Sequence, residues 1–171
     1  MAHRRVLVLG GARSGKSAFA EQLATACGSP VLYVATAAVS DTEMADRIAH
    51  HRARRPAAWQ TVEREVDLLS GIDINRAINN TIIVEDLTLL LSNHMERDVD
   101  LAESLTVSEI RDLLAIEANV ILVSNEVGMG LVPMHALGRA FRDALGRVNQ
   151  AAAAACSEVY FVVAGLPLKM K

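Results

Sequence analysis

Short apolar, β-branched runs recur along the chain, with helical patterns between them. The runs cover residues 5–9, 31–35, 81–84, 119–123 and 158–163. Continuous apolar runs of this length are typical of strands buried on both faces of a parallel sheet, and their spacing leaves room for crossover helices. The pattern predicts an α/β fold with an open, mostly parallel sheet flanked by helices.

The last helical pattern is the clearest of those between the runs. Its apolar stripe, with helical spacing, consists of Leu137, Phe141, Leu145, Val148 and Ala152. Arginine, aspartate and glutamine side chains lie toward the other side, at Arg139, Arg142, Asp143 and Gln150. This spacing predicts an amphipathic helix packed on the sheet. The chain shows no internal repeat or linker, so we expect residues 1–171 to form a single domain.

A glycine-rich loop follows the first apolar run directly and precedes a helical pattern. It fits the phosphate-loop pattern G-x-x-x-x-G-K-[ST] with Gly10, Gly11, Ala12, Arg13, Ser14, Gly15, Lys16 and Ser17. Strand, loop and helix together favour a nucleoside triphosphate site of the P-loop NTPase (RecA-like) class over a chance glycine turn. The helix N-terminus and loop amides attract phosphates, Lys16 bridges the outer phosphates, and Ser17 offers its hydroxyl to Mg²⁺.

Polar residues also follow the other predicted strands. Thr36 comes after the second, Glu85 and Asp86 after the third, and residues 124–128 after the fourth. Ligands of such sheets bind beyond the carboxyl ends of the strands, so we expect these segments to converge on the phosphate loop. An acid there can hold Mg²⁺, and strand alternation lets only one of Glu85 and Asp86 face the phosphates. Glu126 is a further candidate acid.

Residues 41–56 form a helical pattern that contains paired histidines. His50 lies four residues after Asp46, a spacing at which a carboxylate can fix the imidazole tautomer. A neutral imidazole is a nucleophile toward phosphorus. The arginines that could contact phosphate oxygens are Arg52, Arg54 and Arg55. From spacing alone, the alternative is a solvated basic helix end.

Composition narrows the class of protein further. A net charge of −3 argues against broad electrostatic binding to nucleic acid. No apolar stretch approaches the ~18 residues of a transmembrane helix, so we expect no transmembrane segment. Cys27 and Cys156 lie far apart without metal-ligand spacing, which favours free thiols and a cytoplasmic location. Lys16 is the only lysine before Lys169, which is weak support for a specific role.

With these residues the chain resembles, nearly end to end, the bifunctional adenosylcobinamide kinase/adenosylcobinamide-phosphate guanylyltransferase family of cobalamin biosynthesis. Beyond the phosphate loop, the resemblance is carried by residues 20–21, 33–37, 43–44, 47–48, 50–51, 55–56, 59, 63, 87–88, 92–93, 124–128, 132–133, 139, 141–143, 146–147, 149–150, 164–167 and 169. It implies that adenosylcobinamide is phosphorylated by a nucleoside triphosphate. It also implies that GMP from GTP passes through a guanylylated histidine to adenosylcobinamide phosphate, giving adenosylcobinamide-GDP.

The resemblance also assigns residues. His50 would carry GMP and Lys16 would act in catalysis, with ATP or GTP and Mg²⁺ as cofactors. The GTP site would comprise the phosphate loop together with Val34, Ala35, Thr36, His51, Arg52, Ala53, Arg54, Glu63 and Glu85. Ser17 and Glu85 would be the metal ligands. The partner is the corrinoid substrate, and the expected assembly is a homo-oligomer, a trimer in particular.

The chain departs from the family pattern at the end of the third predicted strand, and also at Leu90, where the family commonly has tryptophan. The family usually has aspartate and then an uncharged residue where this chain has Glu85 and Asp86. This leaves open which carboxylate serves the metal. The sequence also leaves open the phosphate donor of the kinase step, the general base and the corrinoid contacts. Two other functions remain as alternatives: a monofunctional P-loop kinase and a nucleotide-sensing module without turnover.

Overall fold

The computed structural model describes residues 3–37, 55–73 and 77–171. In these ranges a seven-stranded sheet is flanked by four α-helices. The strands are β1 Arg5–Gly10, β2 Val31–Ala35, β3 Gln60–Glu63, β4 Thr81–Glu85, β5 Asn119–Asn125, β6 Glu158–Val163 and β7 Leu166–Lys169. The helices are α1 Lys16–Ala26, α2 Leu87–Arg97, α3 Ala102–Leu114 and α4 Ala136–Ala155.

The sheet has the strand order β3-β2-β4-β5-β1-β6-β7. All neighbours pair in parallel except β6 and β7, which form an antiparallel hairpin. β1 is central, between β5 and β6, so the loop after it lies in the middle of the carboxyl edge. The predicted α/β fold, with a mostly parallel sheet flanked by helices, is confirmed.

Both faces of the sheet are buried because successive side chains of each strand point to opposite sides. Along β1, Leu7 belongs to the core beneath α2, α3 and α4, whereas Val6 and Val8 pack in the core beneath α1. Ala20 and Ala24 bring α1 close to the sheet. Two-sided burial explains why these strands are continuous apolar runs in the sequence.

All five predicted strands are present, but two further strands were not predicted. β3 reads Gln-Thr-Val-Glu and is mostly exposed at the sheet edge, so it lacks an apolar run. β7, Leu-Pro-Leu-Lys, is exposed throughout at the opposite edge. Edge strands need little apolar surface, and this removes the signal on which the prediction relied.

The C-terminal helix is present as α4, but its predicted apolar stripe is only partly buried. Leu145, Val148 and Ala152 are fully buried, whereas Leu137 is 61% exposed. The first turn of α4 extends beyond the part of the helix that packs on the sheet. The predicted helix at residues 41–56 lies largely outside the described residues, since only 55 and 56 are described.

Candidate functional site

The phosphate loop, residues 10–17, connects the end of β1 to the start of α1. Gly15 lies at the helix N-cap with φ +94°, a left-handed conformation that favours glycine. At Gly10 a Cβ would lie 2.5 Å from Ser14 Oγ and 2.7 Å from the carbonyl oxygen of Val162. A side chain at Gly10 would therefore displace the loop, so glycine is needed for the tight turn.

The β6–β7 hairpin holds the phosphate loop in place. Helix α1, which follows the loop, has no side-chain cap at its N-terminus. The amide of Gly165, in the hairpin turn, donates to the carbonyl oxygen of Ser14 at 2.8 Å. No side chain caps the N-terminus of α1, so its first-turn amides keep their positive dipole for an anion. Lys16 is 8% exposed, and its Nζ lies 3.5 Å from the carbonyl oxygen of Gly11, folded back over the loop.

Ser17 and Glu85 meet beneath the phosphate loop, although they are 68 residues apart in sequence. The Ser17 hydroxyl donates to Glu85 Oε1 at 2.6 Å. Burial raises the pKa of Glu85 above its ordinary value, the Asp86 carboxylate raises it further, and the Ser17 hydrogen bond and the charge of Lys16 oppose the shift. A hydroxyl and a carboxylate are hard oxygen donors of the kind that Mg²⁺ takes beside phosphates and water.

Asp86 makes different contacts from Glu85. Its Oδ1 accepts from the amide of Leu89 and caps helix α2, and its Oδ2 accepts from Asn125 Nδ2 at 3.2 Å. Asn125 also donates to Thr88 Oγ1, which ties β5 to the first turn of α2. Asp86 is thus engaged in holding α2 and β5. Of the two acids that the sequence left open, Glu85 is the one that contacts Ser17.

Thr36 connects β2 to the end of β4. Its hydroxyl accepts from the Asp86 amide at 2.7 Å and donates to the Asp86 carbonyl oxygen at 2.8 Å, and its own amide donates to the carbonyl oxygen of Glu85. The side chain is fully buried. Its hydroxyl thus aligns two strand ends, a role that the sequence analysis did not assign to it.

Asn93, on α2, connects the end of β2 to the segment after β3. Its Nδ2 donates to the carbonyl oxygen of Thr36 at 2.9 Å and to that of Glu65 at 2.8 Å. Glu63 lies opposite Ala35 in the same region, at the carboxyl end of β3. The sequence placed Asn93 among the residues of the family pattern without giving it a role, and that match was the available signal.

An open groove of about 560 Å³ runs along β3 beside these strand ends. Arg55 and Trp59 border it, and both contact Tyr33 of β2. The Arg55 guanidinium lies 3.7 Å from the Tyr33 ring centroid, and the Trp59 ring stacks at 6.4 Å. Glu63 also lines the groove. A cation and a flat ring bordering a carboxylate suit a planar, polar ligand.

The structure brings together four of the segments that the sequence predicted to converge. Hydrogen bonds join Ser17 to Glu85, Thr36 to residues 85 and 86, and the amide of Glu126 to the carbonyl oxygen of Gly10. Glu126 Oε1 accepts from the amide of Gly128 at 2.6 Å, which shapes the loop after β5.

Other predicted site residues are placed differently or lie outside the description. The side chains of Val34 and Ala35 are buried in the two cores, so a ligand could meet only their backbone. His50, His51, Arg52, Ala53 and Arg54 lie outside the described residues. Among the described residues, no group of three or more His, Cys, Asp or Glu side chains could hold a metal ion. A metal here would therefore rely on Ser17, Glu85, phosphate oxygens and water.

A glycine loop with a buried lysine lies between a strand and a helix, beside a serine–carboxylate pair. This arrangement defines a P-loop protein that binds a nucleotide, with a place for a divalent metal. The comparison with known families is more specific. The model of the family described as cobinamide kinase/cobinamide phosphate guanyltransferase matches residues 6–170. The chain belongs to this family of bifunctional cobalamin-biosynthesis enzymes, and the resemblance found in the sequence is confirmed.

Curated relatives agree with this family placement, and a solved structure shares the fold. The bifunctional adenosylcobalamin biosynthesis protein CobU of Escherichia coli is 46% identical, covering 97% of this chain and 99% of the relative. CobP of Pseudomonas aeruginosa is 43% identical, covering 98% and 97%. A structure described as a structural study of Project ID PH0250 from Pyrococcus horikoshii OT3 has a TM-score of 0.56 at 9% identity, covering 98% and 86% of the two chains. This last likeness concerns the fold alone.

We expect Asn93→Ala to raise the KM for GTP about tenfold with a smaller change in kcat, because the end of β2 and the segment after β3 lose the side chain that holds them together. The fluorescence of Trp59, the only tryptophan in the chain, should shift as the segment around β3 moves. Ser92→Ala, one residue away on the same helix, is the matched control. A variant with unchanged KM and unchanged Trp59 emission would contradict this positioning role.

Proposed function

We propose that the chain phosphorylates adenosylcobinamide with a nucleoside triphosphate and then transfers GMP from GTP, through His50, to adenosylcobinamide phosphate. Family membership supports the two activities. The observation that carries the proposal is the single phosphate loop, with Lys16 folded over it and Ser17 bonded to Glu85 beneath it. One such site can present the same triphosphate to two different acceptors.

In the kinase step, the residues of the loop bind and orient the triphosphate. Lys16 and the amides at the start of α1 face the β- and γ-phosphates, which favours GTP or ATP bound with its terminal phosphorus exposed. Ser17 and Glu85 would hold Mg²⁺, which neutralises charge on the phosphates when bound. The corrinoid hydroxyl then bonds to the γ phosphorus, loses its proton, and the nucleoside diphosphate leaves.

In the transfer step, the reacting phosphorus is the α phosphorus of GTP. A ring nitrogen of neutral His50 bonds to it, the bond to the bridging oxygen breaks, and pyrophosphate leaves with that electron pair. Asp46 lies four residues earlier in the chain and is the group that we assign to hold the other ring nitrogen. A phosphate oxygen of the corrinoid then bonds to the same phosphorus, which breaks the nitrogen–phosphorus bond and frees His50.

The guanine base is assigned to the groove along β3. Glu63 supplies a carboxylate, which can accept hydrogen bonds from the ring nitrogen and amino group of guanine. His51, Arg52, Ala53 and Arg54 complete the proposed GTP site. With Arg55 and Trp59 beside the groove, this assignment accounts for a preference for GTP in the transfer step.

Product analysis by mass tests the proposal. The purified chain is incubated with adenosylcobinamide, GTP and Mg²⁺. The corrinoids are separated at successive times, and the molecular mass of each is measured. We expect adenosylcobinamide phosphate first and adenosylcobinamide-GDP second. Adenosylcobinamide phosphate as the final product would identify a monofunctional kinase. Unchanged corrinoid together with bound GTP would identify a nucleotide sensor.

The metal assignment predicts different outcomes at two adjacent acids. We expect Glu85→Gln to raise the Mg²⁺ concentration that gives half-maximal kinase rate by about tenfold or more. Asp86→Asn should change it little, because asparagine can still cap α2. Kinase rates measured across a Mg²⁺ titration check both. A larger effect at Asp86 than at Glu85 would show that the metal is held by the other carboxylate.

Assembly and location are further parts of the proposal. We propose a homo-oligomer, and specifically a trimer. Exposed apolar side chains on and just after the β6–β7 hairpin support this assembly; they are Val163, Leu166, Leu168 and Met170. Light scattering of the purified chain measures its assembly.

None of the described helices is long and apolar enough to cross a membrane. The cytoplasmic location and the absence of nucleic-acid binding remain predictions.

A further inference from the structure

The loop of residues 129–134, here the apolar loop, extends from the same edge of the sheet as the phosphate loop. It follows β5, and the amide of Glu126 donates to the carbonyl oxygen of Gly10 at 3.1 Å, at the first residue of the phosphate loop. Since β5 pairs in parallel with β1, both loops extend from the same edge of the sheet. The apolar loop therefore borders the place where a triphosphate and its acceptor must meet.

The apolar loop is held in a defined shape at both ends. Just before its first residue, Glu126 Oε1 accepts from the amide of Gly128 at 2.6 Å. At its end, Arg139 Nη1 donates to the carbonyl oxygens of Pro133 and Met134 at 3.1 and 2.6 Å. A Cβ on Gly138 would lie 2.9 Å from Pro133 Cβ, so helix α4 and the loop are in close contact.

Its large side chains nevertheless face solvent. Leu131 is 96% exposed, Met134 91% and Met129 80%. Val132 and, just beyond the loop, Leu137 are also more than half exposed. A group of large apolar side chains on a braced loop is the usual mark of a binding surface rather than of a scattered apolar surface. Methionines in particular adapt to irregular apolar ligands.

We propose that the apolar loop is the surface that receives the corrin ring of the substrate. This inference rests on the proposed function, because the corrinoid hydroxyl must reach the γ phosphorus while the bulky ring lies beside it. A corrin ring is a broad macrocycle with methyl groups on its faces and amide side chains at its rim. A surface of large, exposed apolar side chains matches the methyl-covered faces of such a ring.

The other exposed apolar group in the described structure, on the β6–β7 hairpin, is less suited to the ring. β7 runs antiparallel to β6, so Val163 and Leu166 flank the turn beside Ser14, whereas Leu168, opposite Phe161, and Met170 beyond it lie away from the carboxyl edge. The apolar loop instead extends beyond the strand ends, where ligands of this fold bind. Its position beyond the strand ends thus favours the corrinoid over a second copy of the chain as its occupant.

Equilibrium dialysis with cobinamide, whose corrin ring is coloured, tests the proposal in the full chain. We expect Leu131→Ser and Met134→Ser each to raise the Kd for cobinamide about tenfold or more, because apolar contact area is lost. Leu131→Met should restore affinity to within about threefold, since it conserves apolar volume. Leu101→Ser is the matched control: Leu101 is 52% exposed and is separated from Asp86 by the whole of α2, ~16 Å.

Two measurements on the unmodified chain, its GTP affinity and its kinase turnover, distinguish a failure of this inference from a failure of the proposed function. If the unmodified chain phosphorylates cobinamide and both serine variants keep its Kd, the apolar loop is not the corrin surface and only this inference fails. If the Kd is unchanged but light scattering gives the serine variants a lower particle mass than the unmodified chain, a second copy of the chain covers the loop. Failure of the unmodified chain to phosphorylate adenosylcobinamide would overturn the proposed function itself.

Discussion

His50→Ala should stop the reaction at adenosylcobinamide phosphate. Alanine has no nitrogen to form a bond to the α phosphorus, so no covalent GMP can form and adenosylcobinamide-GDP should be undetectable. The kinase rate should stay within about threefold of the unmodified chain, because γ-phosphoryl transfer depends on positioning and electrostatics at the phosphate loop. Separate rates for the two corrinoid products measure this difference between the steps.

His51→Ala is the control for this substitution. It removes the adjacent imidazole, so it should keep the covalent GMP while weakening GTP binding. If His51→Ala loses the GMP adduct and His50→Ala retains it, the two histidines have exchanged roles. If both variants make adenosylcobinamide-GDP at the unmodified rate, the transfer does not proceed through a histidine of this pair.

Lys16→Ala should reduce both reactions by about 10²–10³-fold in kcat/KM, the effect seen when one preorganised donor to developing charge is removed. Lys16 lies folded over the phosphate loop and is almost fully buried. Its charge therefore acts where water screens it little, on phosphates that both steps use. Rates of the kinase and transfer steps, each with GTP varied, measure the loss.

Lys16→Arg provides the matched test of geometry. It keeps the positive charge but places a planar, longer group in a buried position, so we expect it to rescue little activity. Gln22→Ala, on the exposed side of α1, should leave both rates unchanged. A Lys16→Ala variant that loses only one of the two activities would show that the kinase and transfer steps use different triphosphate sites.

The parts of the fold that could be predicted are those whose cause is local or periodic. β1, the phosphate loop and α1 are contiguous, so one motif with its flanking pattern identified all three. The rule that parallel strands end at one edge brought Ser17 and Glu85 together across 68 residues. No distance was needed for that inference, only the order of apolar runs and polar ends.

What could not be predicted depends on contacts between distant segments. The choice between Glu85 and Asp86 follows from the cap of α2 and the bond to Asn125, which no spacing shows. The two hydrogen bonds of Asn93 depend on where α2 passes β2 and the segment after β3. The exposure of Leu137 depends on how far α4 extends beyond the sheet, whereas helical periodicity reports only which side chains share a face.

The intact mass of the purified chain after incubation with GTP and Mg²⁺ tests the central claim most directly. We predict a gain of one GMP that is labile to acid, stable to alkali and absent from His50→Ala, as a phosphorus–nitrogen bond to that residue requires. GTP bound without any covalent gain in mass, under conditions in which the corrinoid is phosphorylated, would contradict the guanylyl-histidine mechanism.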